Sequence, residues 1–210
     1  MPAVKSKNFM TFYYFCAIIA PMEWIVNFDF TILDWIQQHL RNEVLDTVMP
    51  LITMLGDHGI LFIAVGVLLL VFRQTRRCGL FVLLALLVGL LICNVTLKPL
   101  IARIRPYDLK QGIDLLIEAP TDFSFPSGHT NASFVFATVI FCMNKKWGIP
   151  AMVMAALIAF SRLYLYVHYP TDVLGGIICG IFAGWITVFL LRKLLTRFPR
   201  LESFFPQEGS

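Results

Sequence analysis

Apolar residues in this chain do not alternate with polar ones but come in long unbroken runs separated by short charged links. The runs are Gly59 to Phe72, Gly79 to Leu97, Asn131 to Met143, Gly148 to Phe160 and Val173 to Leu191. A run of this kind offers water no polar face, and several approach the length of helix that crosses roughly 30 Å of hydrocarbon. Inside a bilayer every backbone N–H and C=O must be satisfied within its own segment, so the runs predict helices. The expected fold is an all-α polytopic membrane bundle with five core transmembrane helices.

The N-terminal third follows a different pattern. Residues 31–41 put Ile32, Trp35, Ile36 and Leu40 on one face, as an amphipathic helix lying on the membrane surface would. Val44 to Leu55 continues as a short helix containing Pro50 and is not counted as a span. Gly56-Asp57-His58-Gly59 then breaks the pattern before the first core helix. Phe9 to Val26, preceded by Lys5 and Lys7, fits either a signal peptide or a sixth span, with Pro21 and Glu23 against the latter and Met22 as an alternative start. These boundaries divide the chain into an N-terminal segment, 1–43, and a membrane domain, 44–210.

Composition supports the bilayer as solvent: 58% of residues are hydrophobic and 14% charged, with a mean hydropathy of +0.76. The five cysteines lie in or beside the apolar runs, without a CxxC pair or a histidine at zinc spacing, and read as packing residues. The net charge of +4 comes without a basic run interleaved with aromatics, which argues against nucleic acid as a partner. Basic residues instead report orientation. Arg73, Arg76 and Arg77, then Lys145 and Lys146, then Arg192, Lys193, Arg197 and Arg200 all fall on one side, which the retention of basic loops makes the cytoplasm. The C-terminus is then cytoplasmic, and the stretches Lys98 to Gly128 and Val167 to Thr171 face the periplasm or the cell exterior. Asp108, Asp114, Glu118 and Asp122 suit such an outer loop; Lys98, Arg103, Arg105 and Arg162 do not, and charge beside hydrocarbon calls for an anionic partner. Ile113 to Ile117, apolar apart from Asp114, is expected to dip into the interface.

Three clusters on this outer face carry residue types suited to a phosphoryl group. Lys98 and Arg105-Pro106 stand at the end of the second run, where two cations can reach the same oxygens, with Arg103 as a neighbour rather than a ligand. In Phe125-Pro126-Ser127-Gly128-His129, Ser127 can cap the third helix and Gly128 lets an anion approach its N–H groups. His129, in the first turn, is placed as a general acid. Arg162, His168 and Asp172 follow, with Pro170 in the first turn of the last helix and Asp172 in reach of the His168 imidazole. Taken singly, the second cluster could be a plain helix start with a polar interface histidine, and the third a Tyr-Pro turn with an incidental cap. Asp57 could border the site, but its neighbours mark it only as a turn residue.

Lys98-x6-Arg105-Pro106, Pro126-Ser127-Gly128-His129 and Ser161-Arg162-x5-His168-x3-Asp172 together resemble the three-part signature of the phosphatidic acid phosphatase type 2 superfamily, without a substitution. The resemblance implies a helical core like that of acid phosphatases and vanadium haloperoxidases, and a bacterial membrane lipid phosphatase similar to those acting on undecaprenyl diphosphate or phosphatidylglycerophosphate, with phosphatidic acid as another substrate. It further implies that His168 attacks phosphorus, Asp172 orients it, His129 protonates the leaving oxygen, and Lys98, Arg105, Ser127, Gly128 and Arg162 hold the phosphate. Neither a metal nor another cofactor is expected, since the chain lacks an Asp/Glu cluster suited to magnesium. A lipid phosphotransferase and a non-catalytic phospholipid binder are the competing expectations.

Overall fold

The computed structural model describes residues 23–110, 112–198 and 204–205, and every regular element among them is helical. In chain order these are α1 (Glu23–His39), α2 (Glu43–Met54), α3 (Ile60–Val71), α4 (Arg76–Leu90), the short α5 (Lys98–Ile101) and α6 (Pro106–Leu109), α7 (Gly128–Met143), α8 (Lys145–Tyr164) and α9 (Pro170–Arg197). The stretches Glu43–Val71, Arg76–Leu109, Lys145–Tyr164 and Pro170–Arg197 are long and apolar enough to cross a membrane, and the shorter apolar α7 completes the bundle.

The shortest of these five apolar stretches is the central one. α7 packs against α4, α8 and α9, which buries nearly all of it from Thr130 to Val139. Its Thr130, Asn131, Ser133 and Thr138 therefore face protein rather than lipid. Contact with α9 is made through glycine. A methyl group added at Gly176 would stand 2.7 Å from the Ser127 carbonyl oxygen, one at Gly180 2.7 Å from that of Asn131, and one at Gly184 2.8 Å from Thr138 Cβ. Spaced four apart, these glycines let two backbones touch, which is how helices associate where hydrocarbon gives no drive to cluster. Leu174, Ile178, Phe182, Trp185 and Phe189 on α9 stay exposed as a lipid-facing surface.

Three departures from the sequence pattern shape the end of the bundle where α7 begins. The run ending at Leu97 does not stay α-helical: residues Leu91–Leu97 wind as a π-helix, and the Thr96 hydroxyl donates to the Leu91 carbonyl 2.9 Å away, five residues back. The wider turn re-aims Lys98, and left-handed Ala102 (φ 48°) ends the helix. On α1, Leu33 is fully buried and Ile36 nearly so, while Trp35 is half-exposed, so the expected face is rotated. Buried Asp29, one turn before Leu33, explains this rotation, because its carboxylate is held inside the protein by Arg103. Finally, the break at Gly56–Gly59 is a single 3-10 turn, Asp57–Gly59. It joins α2, which the sequence pattern does not count as a span, to α3 in one apolar stretch.

In the segment Ile113 to Ile117, Ile113, Leu115, Leu116 and Ile117 pack on buried Tyr164 to Val167 and Tyr169. Most of Phe9 to Val26 lies outside the described residues, and its last residues, from Glu23, begin α1. Replacing Gly180 by Leu is expected to destabilise the bundle by about 1–3 kcal/mol, since the added atoms meet backbone that cannot yield. A lowered midpoint of thermal unfolding in detergent checks this.

Candidate active site

Helix α5, the end of α8, the starts of α7 and α9, and the turn between α2 and α3 meet at one end of the bundle. Arg105 reaches it because Pro106 forces the preceding residue out of helical conformation, to φ −77° and ψ 154°. Its guanidinium is buried and fully engaged: Nη1 donates to the Val167 carbonyl at 2.6 Å and lies 3.3 Å from His168 Nε2, and Nε donates to the Asp122 carbonyl at 2.8 Å. Nη2 pairs with the Asp122 carboxylate at 2.5 Å, and the same carboxylate pairs with Lys98. Arg162, from the last turn of α8, is 2% exposed; its Nη1 donates to the Thr53 hydroxyl at 2.6 Å, and its buried Nε has no partner among the described residues. Such a donor costs free energy unless something accepts from it.

His168 sits in the link between α8 and α9, just after left-handed Tyr166 (φ 59°). Burial, and then the charges of Arg105, Arg162 and Lys98, hold its imidazole well below its ordinary value of 6.5. The ring is therefore neutral at physiological pH. Its Nδ1 lies 3.5 Å from Asp172 Oδ2, and a carboxylate can only accept, so Nδ1 is the nitrogen that carries hydrogen and Nε2 turns its lone pair toward the cations. The contact is loose. Ser124, fully buried, shares it: its hydroxyl donates to Asp172 Oδ2 at 2.5 Å and stands 3.5 Å from Nδ1.

Asp172 is itself clamped. Its Oδ2 accepts the Tyr169 N–H at 2.9 Å, in the first turn of α9 that Pro170 opens, and its Oδ1 accepts from Arg103 at 2.6 Å. Arg103 also bonds Asp29 at 2.7 Å and the Thr171 hydroxyl at 2.7 Å, with its guanidinium carbon 3.9 Å from the centre of the Tyr169 ring. It stands behind the His168–Asp172 pair, with its guanidinium committed to Asp29, Thr171 and Asp172.

At the start of α7, Ser127 occupies the cap position but its hydroxyl does not cap the backbone. It accepts instead from the Thr130 hydroxyl at 3.0 Å, while the Ser127 N–H donates to the Asp172 carbonyl at 3.1 Å. A methyl on Gly128 would stand 3.8 Å from Lys98 Nζ, so this glycine backbone lies directly beside the cation. His129 follows, with Nε2 2.7 Å from Asp57 Oδ1.

The structure thus gathers Lys98, Arg105, Ser127, Gly128, His129, Arg162, His168 and Asp172 at one end of the bundle. It adds Asp122, Ser124 and Thr53, which the sequence does not single out as site residues, and Asp57, which the sequence left as a turn residue that could border the site. Asp122 and Ser124 had an available signal, their place within a few residues of Ser127. Buried positive charge beside a neutral imidazole nitrogen can bind a compact anion and hold a nucleophile against it.

The profile of the PAP2 superfamily matches residues 78–195. Undecaprenyl-diphosphatase of Sulfolobus acidocaldarius is 31% identical over 145 residues, which are 68% of this chain and 70% of that protein. Lipid A 4'-phosphatase of Bacteroides thetaiotaomicron is 36% identical over 125 residues, 56% of this chain and 54% of that protein. The crystal structure of a transmembrane PAP2-type phosphatidylglycerolphosphate phosphatase from Bacillus subtilis superposes with a TM-score of 0.69 at 31% identity, covering 88% of this chain and 94% of that one.

Asp122 occupies the two cations that an incoming anion would use. Burial would raise its carboxyl, but hydrogen bonds and charge from Lys98 and then Arg105 hold it at about 2, so mild acid does not release it. Asp122→Asn is expected to tighten orthophosphate binding about tenfold by removing this competitor. Phosphate-dependent protection against thermal unfolding, compared with the unsubstituted protein, measures it.

Proposed function

Because the chain belongs to the PAP2 superfamily and is a multi-pass membrane hydrolase of lipid phosphates, we propose that it dephosphorylates undecaprenyl diphosphate through a phosphohistidine at His168. One observation carries this reading: the Nε2 of a buried, neutral His168 faces Arg105 from 3.3 Å, with Arg162 and Lys98 close enough to act on its charge.

The terminal phosphoryl group displaces the Asp122 carboxylate and takes hydrogen bonds from Lys98, Arg105, the Nε of Arg162, Ser127 and the Gly128 N–H. The lone pair on His168 Nε2 then forms a bond to phosphorus as the bond to the leaving oxygen breaks. That oxygen takes a proton from His129, and the positive charge left on His168 is balanced by Asp172 through Nδ1. In the second half, water attacks phosphorus and passes a proton to His129. The electron pair of the P–N bond returns to Nε2, and phosphate leaves. The cations already balance the dianion and the developing transition-state charge, so the reaction is proposed to proceed without a metal ion.

The setting and the relatives support the choice of substrate. The site lies at the bundle end opposite Arg73, Arg76, Lys145, Lys146 and Arg192, and the retention of basic loops supports a reading with the site on the periplasmic or extracellular face and the C-terminus in the cytoplasm. A diphosphate on a long apolar tail can approach that end from within the membrane, and the undecaprenyl-diphosphatase relative supports this choice. Phosphatidylglycerophosphate is the second reading, favoured by the extent of the superposition on the Bacillus subtilis enzyme.

The test is phosphate release by the detergent-purified protein in excess EDTA, offered undecaprenyl diphosphate, phosphatidylglycerophosphate or phosphatidic acid. Release from undecaprenyl diphosphate fastest of the three, surviving EDTA and falling at least a thousandfold in His168→Ala, is the expected result. Wild-type turnover in His168→Ala, or a phosphorylated second lipid in place of free phosphate, overturns it.

A further inference from the structure

The turn Gly56-Asp57-His58-Gly59 is built around His129. A methyl group on Gly56 would stand 2.9 Å from His129 Cδ2 and 3.4 Å from its Cβ, so a larger residue at this position would push the ring aside. Asp57 meets the next atom of the ring, with Oδ1 2.7 Å from Nε2. The turn is held in this shape by backbone that most residues avoid: His58 has φ 51° and Gly59 φ 68°. Because a carboxylate only accepts, Nε2 carries a hydrogen. The ring is thus gripped along its Cδ2–Nε2 edge, and Nδ1, without a hydrogen-bond partner among the described residues, lies on the opposite, free edge.

We propose that Asp57 is a positioning residue for the acid–base step, holding His129 by Nε2 so that Nδ1 delivers a proton to the leaving oxygen and later takes one from water. This rests on the reaction proposed above. A ring that gives up a proton from Nδ1 must first be doubly protonated, and its surroundings make that demanding. Arg162 from α8 and Lys98 from α5 act on His129 with positive charge, and His168 faces it from the α8–α9 link. Asp57, from the α2–α3 turn, is the negative group in contact with it. Its carboxylate offsets the cations that the phosphate needs, much as Asp172 does for His168 on the other side of the site. The two imidazoles are then held in opposite senses: His168 by Nδ1 with Nε2 turned to Arg105 and the phosphate it would bind, and His129 by Nε2 with Nδ1 left to exchange protons. Asp57 is half-exposed, so it can follow the ring when substrate arrives, whereas Asp172 is fully buried.

The direction of the pH effect follows. Turnover needs His129 protonated, so loss of its proton appears as the alkaline limb of the pH profile. Without the Asp57 carboxylate the doubly protonated ring is less favourable, and that limb moves to lower pH. His168 does not touch Asp57, so the acidic limb stays.

The experiment is the pH profile of kcat and KM for undecaprenyl diphosphate, or for whichever of the three lipids the wild-type protein hydrolyses fastest, in Asp57→Asn, Asp57→Glu and Gly56→Ala. Asp57→Asn is expected to lower kcat about tenfold or more, to leave KM within about twofold, and to shift only the alkaline limb downward by about one pH unit. Asp57→Glu should restore the limb, because it restores the charge. Gly56→Ala, which keeps the carboxylate but crowds the ring, should lower kcat with a smaller shift. An Asp57→Asn protein with a wild-type thermal midpoint and an unmoved alkaline limb overturns the inference, as does a shift that Glu fails to reverse. A variant with a depressed midpoint in which both limbs keep their positions assigns Asp57 to folding alone and equally overturns it. Absence of turnover in the wild-type protein is a different outcome, which removes the parent reading.

Discussion

Charge placed at the edge of hydrocarbon has to be balanced locally, and the organisation of this protein follows from how Arg103 does so. Its guanidinium joins Asp29 of α1 to Asp172 of α9, both fully buried, and lies over the ring of Tyr169. Removing one member of such a set leaves a buried charge unpaired, at a cost of about 3–5 kcal/mol. The arrangement therefore ties α1, the end of the α4–α5 stretch and the start of α9 into one unit. Asp172 is held on two sides before it meets His168, so the imidazole is oriented by a carboxylate that is itself fixed. The glycine contacts between α9 and α7 complete this frame, since they let the Ser127 N–H reach the Asp172 carbonyl.

The remaining cations are balanced differently. Lys98 and Arg105 share Asp122, which is half-exposed and can leave, while the Nε of buried Arg162 has no partner among the described residues. Fixed pairs hold the frame, and exchangeable or unfilled ones face the position where a phosphoryl group would bind. The site is thus charged enough to attract an anion from the membrane surface without leaving Lys98 and Arg105 bare beside lipid when no anion is present.

Much of this was legible in the sequence because it is carried by short-range spacing. Lys98, Arg105, the Ser127-Gly128-His129 start of α7, and His168 with Asp172 each depend on one helix end, where local rules for proline, glycine and topology apply. The bundle itself was legible because unbroken apolar runs have few structures open to them in a bilayer. The details that were not legible depend on packing between distant segments. Arg103 meets Asp29 and Asp172 across 74 and 69 residues of sequence, and His129 meets Asp57 across 72. The π-winding before Lys98 has no periodic signature in an already continuous apolar run. Asp122 looked like an ordinary outer-loop acid until the fold laid it over Lys98 and Arg105.

The central claim is that phosphorus is transferred to a histidine nitrogen before water receives it. The direct measurement is to mix the protein with lipid labelled in its terminal phosphate, quench into alkali within the first turnover, and map the label to a peptide. The account predicts label on the peptide containing His168, stable in alkali and lost in mild acid, as a phosphorus–nitrogen bond requires. Label on a serine or a carboxylate, or turnover under these conditions with no labelled peptide at any quench time, would contradict it.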